Sequence, residues 1–434
     1  MKNPSRIIFI IINCLLTFFH QVIYHYLPGS DSILFLDLSK QYSQLNFFDC
    51  ETNYRGHQLY ALFLTIVGNI FSYHHYFIGL FQTIIYSIAA LLLTSALEKQ
   101  LNRNLTGLLL VLILVPEIYF FNGFILTESL AFTLIILCFY QALRIYNNSH
   151  ATVTNMLLLS FTLAVTLMNR LESFVIIFPL LYLIYPAVRG RARNRLIIFF
   201  SIPLMLFQLN GYRNYKTFNV YRMSAFNGGE AIFGGNSANL DGSHHAFWDY
   251  KEIFIPRDRI EELNKILSEP DCISCPKRDA FFLRLAAEAW QKDPLQQMAV
   301  IPEKLAKNWL LPGTFDVYTA DTTKTRGLQL KKILSKEYFN NAWYAPYKHL
   351  FYMLIHWTLL AVLITGMFRF DRQNRFQKSV LLLFVSYLFL AIPFCGLPRW
   401  HVAVFPLLII TFTPVALINR LNNMLNRLFT SKHG

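Results

Sequence analysis

Between residues 7 and 418 the chain returns repeatedly to long apolar runs, at 7–27, 77–97, 125–143, 196–209, 351–368, 380–394 and 402–417. Runs of that length cross, or nearly cross, the ~30 Å hydrocarbon layer of a bilayer as helices. Composition agrees: 54% of the residues are hydrophobic and 15% charged, against roughly 25% charged in an ordinary soluble domain. Disorder, collagen and coiled coil are excluded, and an all-α polytopic membrane protein is expected.

The charges set the orientation. Lys2 and Arg6 precede the first run, which is longer than a signal-peptide core and is followed by no small-residue cleavage site, so it reads as a retained helix with a cytoplasmic start. About ten transmembrane helices are predicted, near 7–27, 75–97, 105–121, 125–143, 153–169, 172–187, 196–211, 349–368, 379–395 and 401–418, which returns the tail to the cytoplasm. On that parity the inside segments carry sixteen Lys and Arg against Glu98 and Asp371, a balance equal to the formal net charge of +14 of the whole chain. The short loops around Arg103, Arg191 and Arg372 carry the inference, because acidic residues and long loops weigh little. The basic excess is therefore an orientation signal, and nucleic acid is not expected as a partner.

Three parts follow. Residues 1–211 form an N-terminal transmembrane module of seven helices with a first outward loop at 28–74. Residues 212–348 form a large outward domain, mixed in character, and 349–434 a C-terminal transmembrane module of three helices with a cytoplasmic tail. The outward domain opens Gly- and Asn-rich (Asn227-Gly228-Gly229, Gly234-Gly235-Asn236) and then shows helical periodicity through 278–290 and 295–310. Residues 58–74 suit a helix lying in the interface. Cys14, Cys138 and Cys395 read as small packing residues. Cys272 and Cys275, a Cys-x-x-Cys in an outward segment, suit a local disulfide. No second pair or suitably spaced His makes them a zinc site.

Ionisable side chains in such segments cost a few kcal/mol and need a partner, an aqueous cavity or a function. Glu117, Glu128, Arg170, Glu172 and Arg399, with Asn122, Asn169 and His401 beside them, fall at the outer ends of the predicted spans, none near an inner end or midplane. They suit the floor of an outward-facing site; the plainer alternative is ion pairs, Arg170 with Glu172 or Glu128, tying helix ends together. The uniform depth speaks against a transporter, which breaks helices near the midplane and places its polar groups there. Asp31, just beyond the first run, is either a general base in a low-dielectric niche or the N-cap of a short helix that also carries Asp37.

Several ordered motifs then resemble one family. Asp31-Ser32-x-x-Phe35-Leu36-x-Leu38-Ser39, Arg55-Gly56-His57-Gln58-Leu59-Tyr60, Pro116 through Asn122 with Leu126-Thr127-Glu128-Ser129-Leu130, Asn169-Arg170-Leu171-Glu172, Arg213-Asn214-Tyr215, Asp293-Pro294-Leu295 with Lys304-Leu305, and Pro398-Arg399-Trp400-His401 with Pro406-Leu407 together resemble membrane glycosyltransferases of the GT-C fold. The nearest types are the protein-mannosyltransferases and lipid A aminoarabinose transferases, over roughly residues 1–410. The chain departs from the pattern in lacking an Asp-x-Asp in the first loop, a proline after Arg170, and the proline commoner at His57.

The resemblance implies transfer of a sugar, usually with inversion, from a polyprenyl-phosphate carrier to a lipid, glycan or protein acceptor. The site would face the periplasm from a bacterial inner membrane, among membrane lipids. Asp31 would be the general base. Arg170, Arg399, His401, Arg213 and Lys304 would bind the phosphate as charge develops on it, and Asp37, Glu128, Glu117, Asn227, Asn236 and His57 would line the substrates. No metal is expected to be required, although Asp31 with Asp37 or Glu51 leaves a divalent cation open. Two rival functions are an O-antigen polymerase or ligase and a non-enzymatic flippase of lipid-linked sugars.

Overall fold

The computed structural model describes residues 4–23, 30–44, 58–148, 152–223, 228–236, 255, 257–269, 276–310, 345–390, 392–393 and 398–430. Among these residues every element is helical, as expected for a chain whose backbone polar groups must be satisfied without water.

Helix α1 (Pro4–Ile23) packs on α4 (His75–Leu101), α4 on α7 (Thr127–Asn147), α7 on α8 (Val153–Asn169), and α8 on α10 (Ala192–Phe218). Helix α7 is the axis of the bundle, with Phe132, Ile135, Ile136, Phe139 and Leu143 fully buried. Hydroxyl and amide side chains bridge neighbouring helices: Thr83 Oγ1 donates to Thr17 Oγ1 at 2.9 Å, Gln141 Nε2 to Thr162 Oγ1 at 2.9 Å, and Ser379 Oγ to the Pro179 carbonyl at 2.6 Å. Such contacts hold helices together where lipid is as apolar as leucine and hydrophobic burial gives little. The outer faces remain apolar, with Phe178 on α9 (Ile177–Val188) 65% exposed and Phe389 64% exposed. An apolar exterior of this kind belongs against lipid.

The segment expected to form the first loop supplies α2 (Ser30–Gln44) and α3 (Gln58–Phe71), which pack against each other. Helix α3 buries Tyr60, Ala61, Leu64 and Val67 and leaves Ile66 and Ile70 exposed. Between α10 and the C-terminal helices come α11 (Gly228–Gly235), α12 (Arg257–Leu267), α13 (Pro276–Lys292), α14 (Pro294–Ala299) and α15 (Ile301–Leu310). Phe233, Leu263, Phe281, Phe282 and Leu285 give these helices a small core of their own. Gly229 is required there: a Cβ on it would fall 2.2 Å from the Asp279 carbonyl oxygen.

The C-terminal helices are α16 (Ala345–Phe368), α17 (Arg375–Leu390), α18 (Phe405–Phe412) and α19 (Val415–Thr430), with a 3-10 turn at Pro398–Ala403 before α18. They close onto the first module: α17 packs on α9, the 3-10 turn on α7, and α19 on α5 (Thr106–Ile113). Helices α16 and α18 cross so tightly that a Cβ on Gly366 would lie 1.5 Å from the Phe412 carbonyl oxygen.

Two predicted spans are not straight helices. The run at 105–121 is α5 followed by α6 (Pro116–Gly123), bent by 62°, and the run at 401–418 becomes α18 and α19, bent by 85°. Both breaks precede a proline. Val115 (ψ 100°) and Thr413 (ψ 124°) are extended, as the residue before proline prefers, and Pro116 and Pro414 have no N–H to continue the helix. Among the described residues, six helices are long and apolar enough to cross a membrane, eight if each bent pair is one span. The other two predicted spans, α8 and α17, have 17 and 16 residues, about 24–26 Å of helix, short of the ~30 Å layer.

Candidate functional site

Where α6 meets α7, the packing gathers buried polar side chains from distant parts of the chain. Pro116 opens α6 and puts Glu117 in its first turn. Glu117 Oε1 lies 2.8 Å from Nδ1 of His356, halfway along α16, and 3.9 Å from Nε2 of His401 in the 3-10 turn. All three side chains are fully buried. His356 Nε2 lies 2.9 Å from the Trp309 carbonyl. A carbonyl only accepts, so Nε2 carries a proton, and a single further proton is shared between Nδ1 and Glu117. The His356 and His401 ring centres are 5.0 Å apart, and Phe405 and Trp309 pack around them.

A second cluster lies at the other end of α6. Arg170 follows α8, and Arg170 Nη1 stands 2.8 Å from Oε1 of Glu128 in the first turn of α7. Arg170 Nε donates to Oε1 of Glu172. Asn169 Nδ2 donates to the Thr127 carbonyl at 3.1 Å, and Ser129 Oγ to Asn122 Oδ1 at 2.6 Å. The turn between α6 and α7 is clamped by two glutamines from apolar runs. Gln82 Nε2 donates to the Asn122 and Phe124 carbonyls at 2.8 and 3.0 Å, and Gln21 Nε2 to the Gly123 carbonyl at 2.9 Å.

A third cluster joins the outward helices to the membrane helices. Lys304 on α15 is fully buried, and its Nζ donates to Asn236 Oδ1 at 3.1 Å and to the Ile392 carbonyl at 3.2 Å. Trp290 Nε1 also donates to Asn236 Oδ1, at 3.0 Å, while Asn236 Nδ2 reaches the Pro393 carbonyl.

The remaining predicted site residues fall as follows. Asp31 is the second residue of α2, inside the helix and not its N-cap, and Ser32 beside it donates to the Ile125 carbonyl at 3.1 Å, three residues before Glu128. Asp37 is exposed on the same helix. Six residues place the two acids' backbones about 9 Å apart along the axis and roughly 120° around it. Arg213 is fully buried near the end of α10, its guanidinium 5.8 Å from the ring centre of Tyr42 on α2. Arg399 lies in the 3-10 turn beside His401. His57, Asn227, Glu51, Cys272, Cys275 and Cys395 lie outside the described residues.

Two expectations change. The acids and histidines are not all at outer helix ends: Glu117 sits at the break between α5 and α6, and it meets His356 from the middle of α16. Broken helices, a transporter feature that the uniform depth of the charges spoke against, occur twice among the described residues. Arg170, which the resemblance assigns to phosphate, is held between two carboxylates, the ion pairs that the plainer alternative also predicts. His356, central in its apolar run and away from the helix-end charges, was not among the predicted site residues; an imidazole within 351–368 was the available signal.

No family model, no curated protein and no solved structure matches the chain.

Proposed function

We propose that the chain is a multi-pass membrane glycosyltransferase of GT-C type, with about ten membrane passes, that moves a sugar from a polyprenyl-phosphate donor to a lipid, glycan or protein acceptor on the periplasmic side of a bacterial inner membrane. The observation that carries the reading is how α2 is anchored. Its first turn, which contains Asp31, is bonded through Ser32 to the Ile125 carbonyl, beside the Glu128–Arg170 pair, and Tyr42 near its other end faces Arg213. A helix that carries an acid and is tied through Ser32 and Tyr42 to elements bearing buried arginines suits this transfer. The acid takes the proton of the acceptor hydroxyl, and the cations stabilise the phosphate that leaves. The ordered motifs and the inward bias of Lys and Arg support the same reading.

The test is purified protein in nanodiscs with a synthetic prenyl-phosphate sugar and an envelope-lipid extract as acceptor, reading release of prenyl phosphate. Asp31→Asn is expected to cut turnover by about 10²–10⁴-fold, the range of general-base catalysis. Full activity in that variant would instead favour a ligase-like mechanism resting on Arg and His. One observation favours a second reading, a carrier of lipid-linked sugars: the two broken helices, with Glu117 at one break, resemble the discontinuous helices of transporters. Movement of a fluorescent lipid-linked sugar across liposomes, with no sugar transferred, would select it.

A further inference from the structure

We infer that Glu117, His356 and His401 form a binding site for a divalent first-row transition ion, zinc foremost. Each offers one ligand atom, and the three atoms lie within 4.8 Å of one another. Two ligands on a tetrahedral ion with bonds of about 2.0–2.1 Å stand roughly 3.3 Å apart. Glu117 Oε1 is 2.8 Å from His356 Nδ1 and 3.9 Å from His401 Nε2. These two spacings bracket the required one, and the third, between the two imidazoles, is no more than 4.8 Å, so side-chain shifts of about 0.5–1.5 Å close the site on an ion.

Hydrogen bonding points the same way. Among the described residues, the buried Glu117 Oε2 has no hydrogen-bond partner, and the ring nitrogens of buried His401 make none of good geometry, their contacts with Glu117 and the Asn308 backbone falling outside it. Unsatisfied buried polar atoms are rare and cost about 1–3 kcal/mol each. The Glu117–His356 hydrogen bond leaves those three atoms as they are, whereas a cation gathers the carboxylate and a His401 nitrogen at once. His356 is already arranged as a ligand: its Nε2–H is directed at the Trp309 carbonyl, which sets the tautomer with its lone pair on Nδ1. That outer-shell bond to a backbone carbonyl is what metal-binding histidines almost always make.

Two imidazoles and one carboxylate select zinc or a neighbouring transition ion over magnesium or calcium, which take oxygen shells. Three protein ligands leave a fourth position for water or a substrate oxygen. The ligands come from α6, α16 and the 3-10 turn, so an ion there would also cross-link the first module to the last. This inference is independent of the sugar-transfer reading.

The test uses full-length protein purified through a tag without histidines and without chelators. Elemental analysis is expected to find about one zinc-class ion per chain, and cobalt(II) substitution to give the visible absorption of a four-coordinate nitrogen–oxygen site. His401→Ala and His356→Ala should lose the ion, while His20→Gln, a buried histidine outside the cluster, should keep it. If the alanine variants do not fold, the wild type decides: chelation should lower its melting temperature, with zinc restoring it and magnesium not. Folded wild-type protein that holds no stoichiometric ion after incubation with zinc, cobalt, manganese or iron(II) would overturn the assignment. So would full retention of the ion in His401→Ala.

Discussion

Replacing Arg170 with methionine separates a structural arginine from a substrate-binding one. The side chain of Arg170 is 8% exposed, that of Glu128 2% and that of Glu172 20%. Methionine keeps the length and packing but leaves Glu128 buried without its counter-ion, a loss that costs about 3–5 kcal/mol when one partner of a buried pair is removed. Adding Glu128→Gln removes the stranded charge, so the double variant should recover about 0.5–3 kcal/mol, the size of coupling found between contacting residues. The assay is thermal unfolding in detergent read by a thiol-reactive dye, which reports on Cys138, fully buried against Thr166. For a chain of 434 residues the unfolding entropy of soluble proteins gives about 1 kcal/mol per degree. The single variant should therefore melt at least about 3–5 °C lower, and by more if helices persist in the micelle. A melting temperature within a degree of wild type, or a double variant no better than the single one, would refute this account of the pair. The phosphate-binding role makes a separate forecast: sugar transfer stays lost in the double variant even where stability returns.

Other outcomes follow from single contacts. Gly366→Ala drives a methyl into the Phe412 carbonyl, so α16 must move off α18; the cost should reach or exceed the ~1–3 kcal/mol usual for overpacking, read as a lower melting temperature. Asn422 on α19 accepts from the Gly107 N–H at 2.6 Å and donates to the Asn104 carbonyl at 2.8 Å, and Asn422→Ala should cost about 1–3 kcal/mol in the same assay. Lys304→Met removes the bonds to Asn236 and the Ile392 carbonyl, and hydrogen exchange in α11 and α15 should accelerate relative to wild type.

Properties carried by consecutive residues could be read directly. Hydropathy marks the apolar helices because each can be recognised one segment at a time, and the pairing of Arg170 with Glu128 or Glu172 was one of two open readings because all three sit at neighbouring helix ends. The breaks were less legible. Pro116 and Pro414 stand in plain view, but both lie in apolar stretches and a hydropathy average runs straight through them. The Glu117–His356 contact joins residues 239 positions apart, a pairing set by how α6 and α16 pack and by nothing local. Gln21 and Gln82 escaped notice for a related reason: an uncharged amide in an apolar run has meaning only once the carbonyls it serves are known.

Those carbonyls explain why the polar layer is a fixed frame. A helix of eight residues leaves about half of its backbone polar groups without intrahelical partners: the first four N–H groups and last four carbonyls of any helix have none, and away from water each must be met by something else. At the C-terminal end of α6, Gln21 and Gln82 meet the carbonyls of Asn122, Gly123 and Phe124. At its N-terminal end Glu117 brings negative charge to the positive pole of the helix dipole and is itself held by His356. Helix α6 is thus pinned at both ends by side chains from α1, α4 and α16. Its length sets the spacing between the Glu117 cluster and the group around Asn122, Ser129 and Arg170, about 8 Å from Glu117 to Asn122 at 1.5 Å per residue. Two polar groups of different chemistry, one carboxylate with imidazoles and one arginine with carboxylates, are held at that distance by the same short helix. Chemistry at either one therefore takes place in the electrostatic field of the other, and a substitution in α6 that shifts one cluster must shift both.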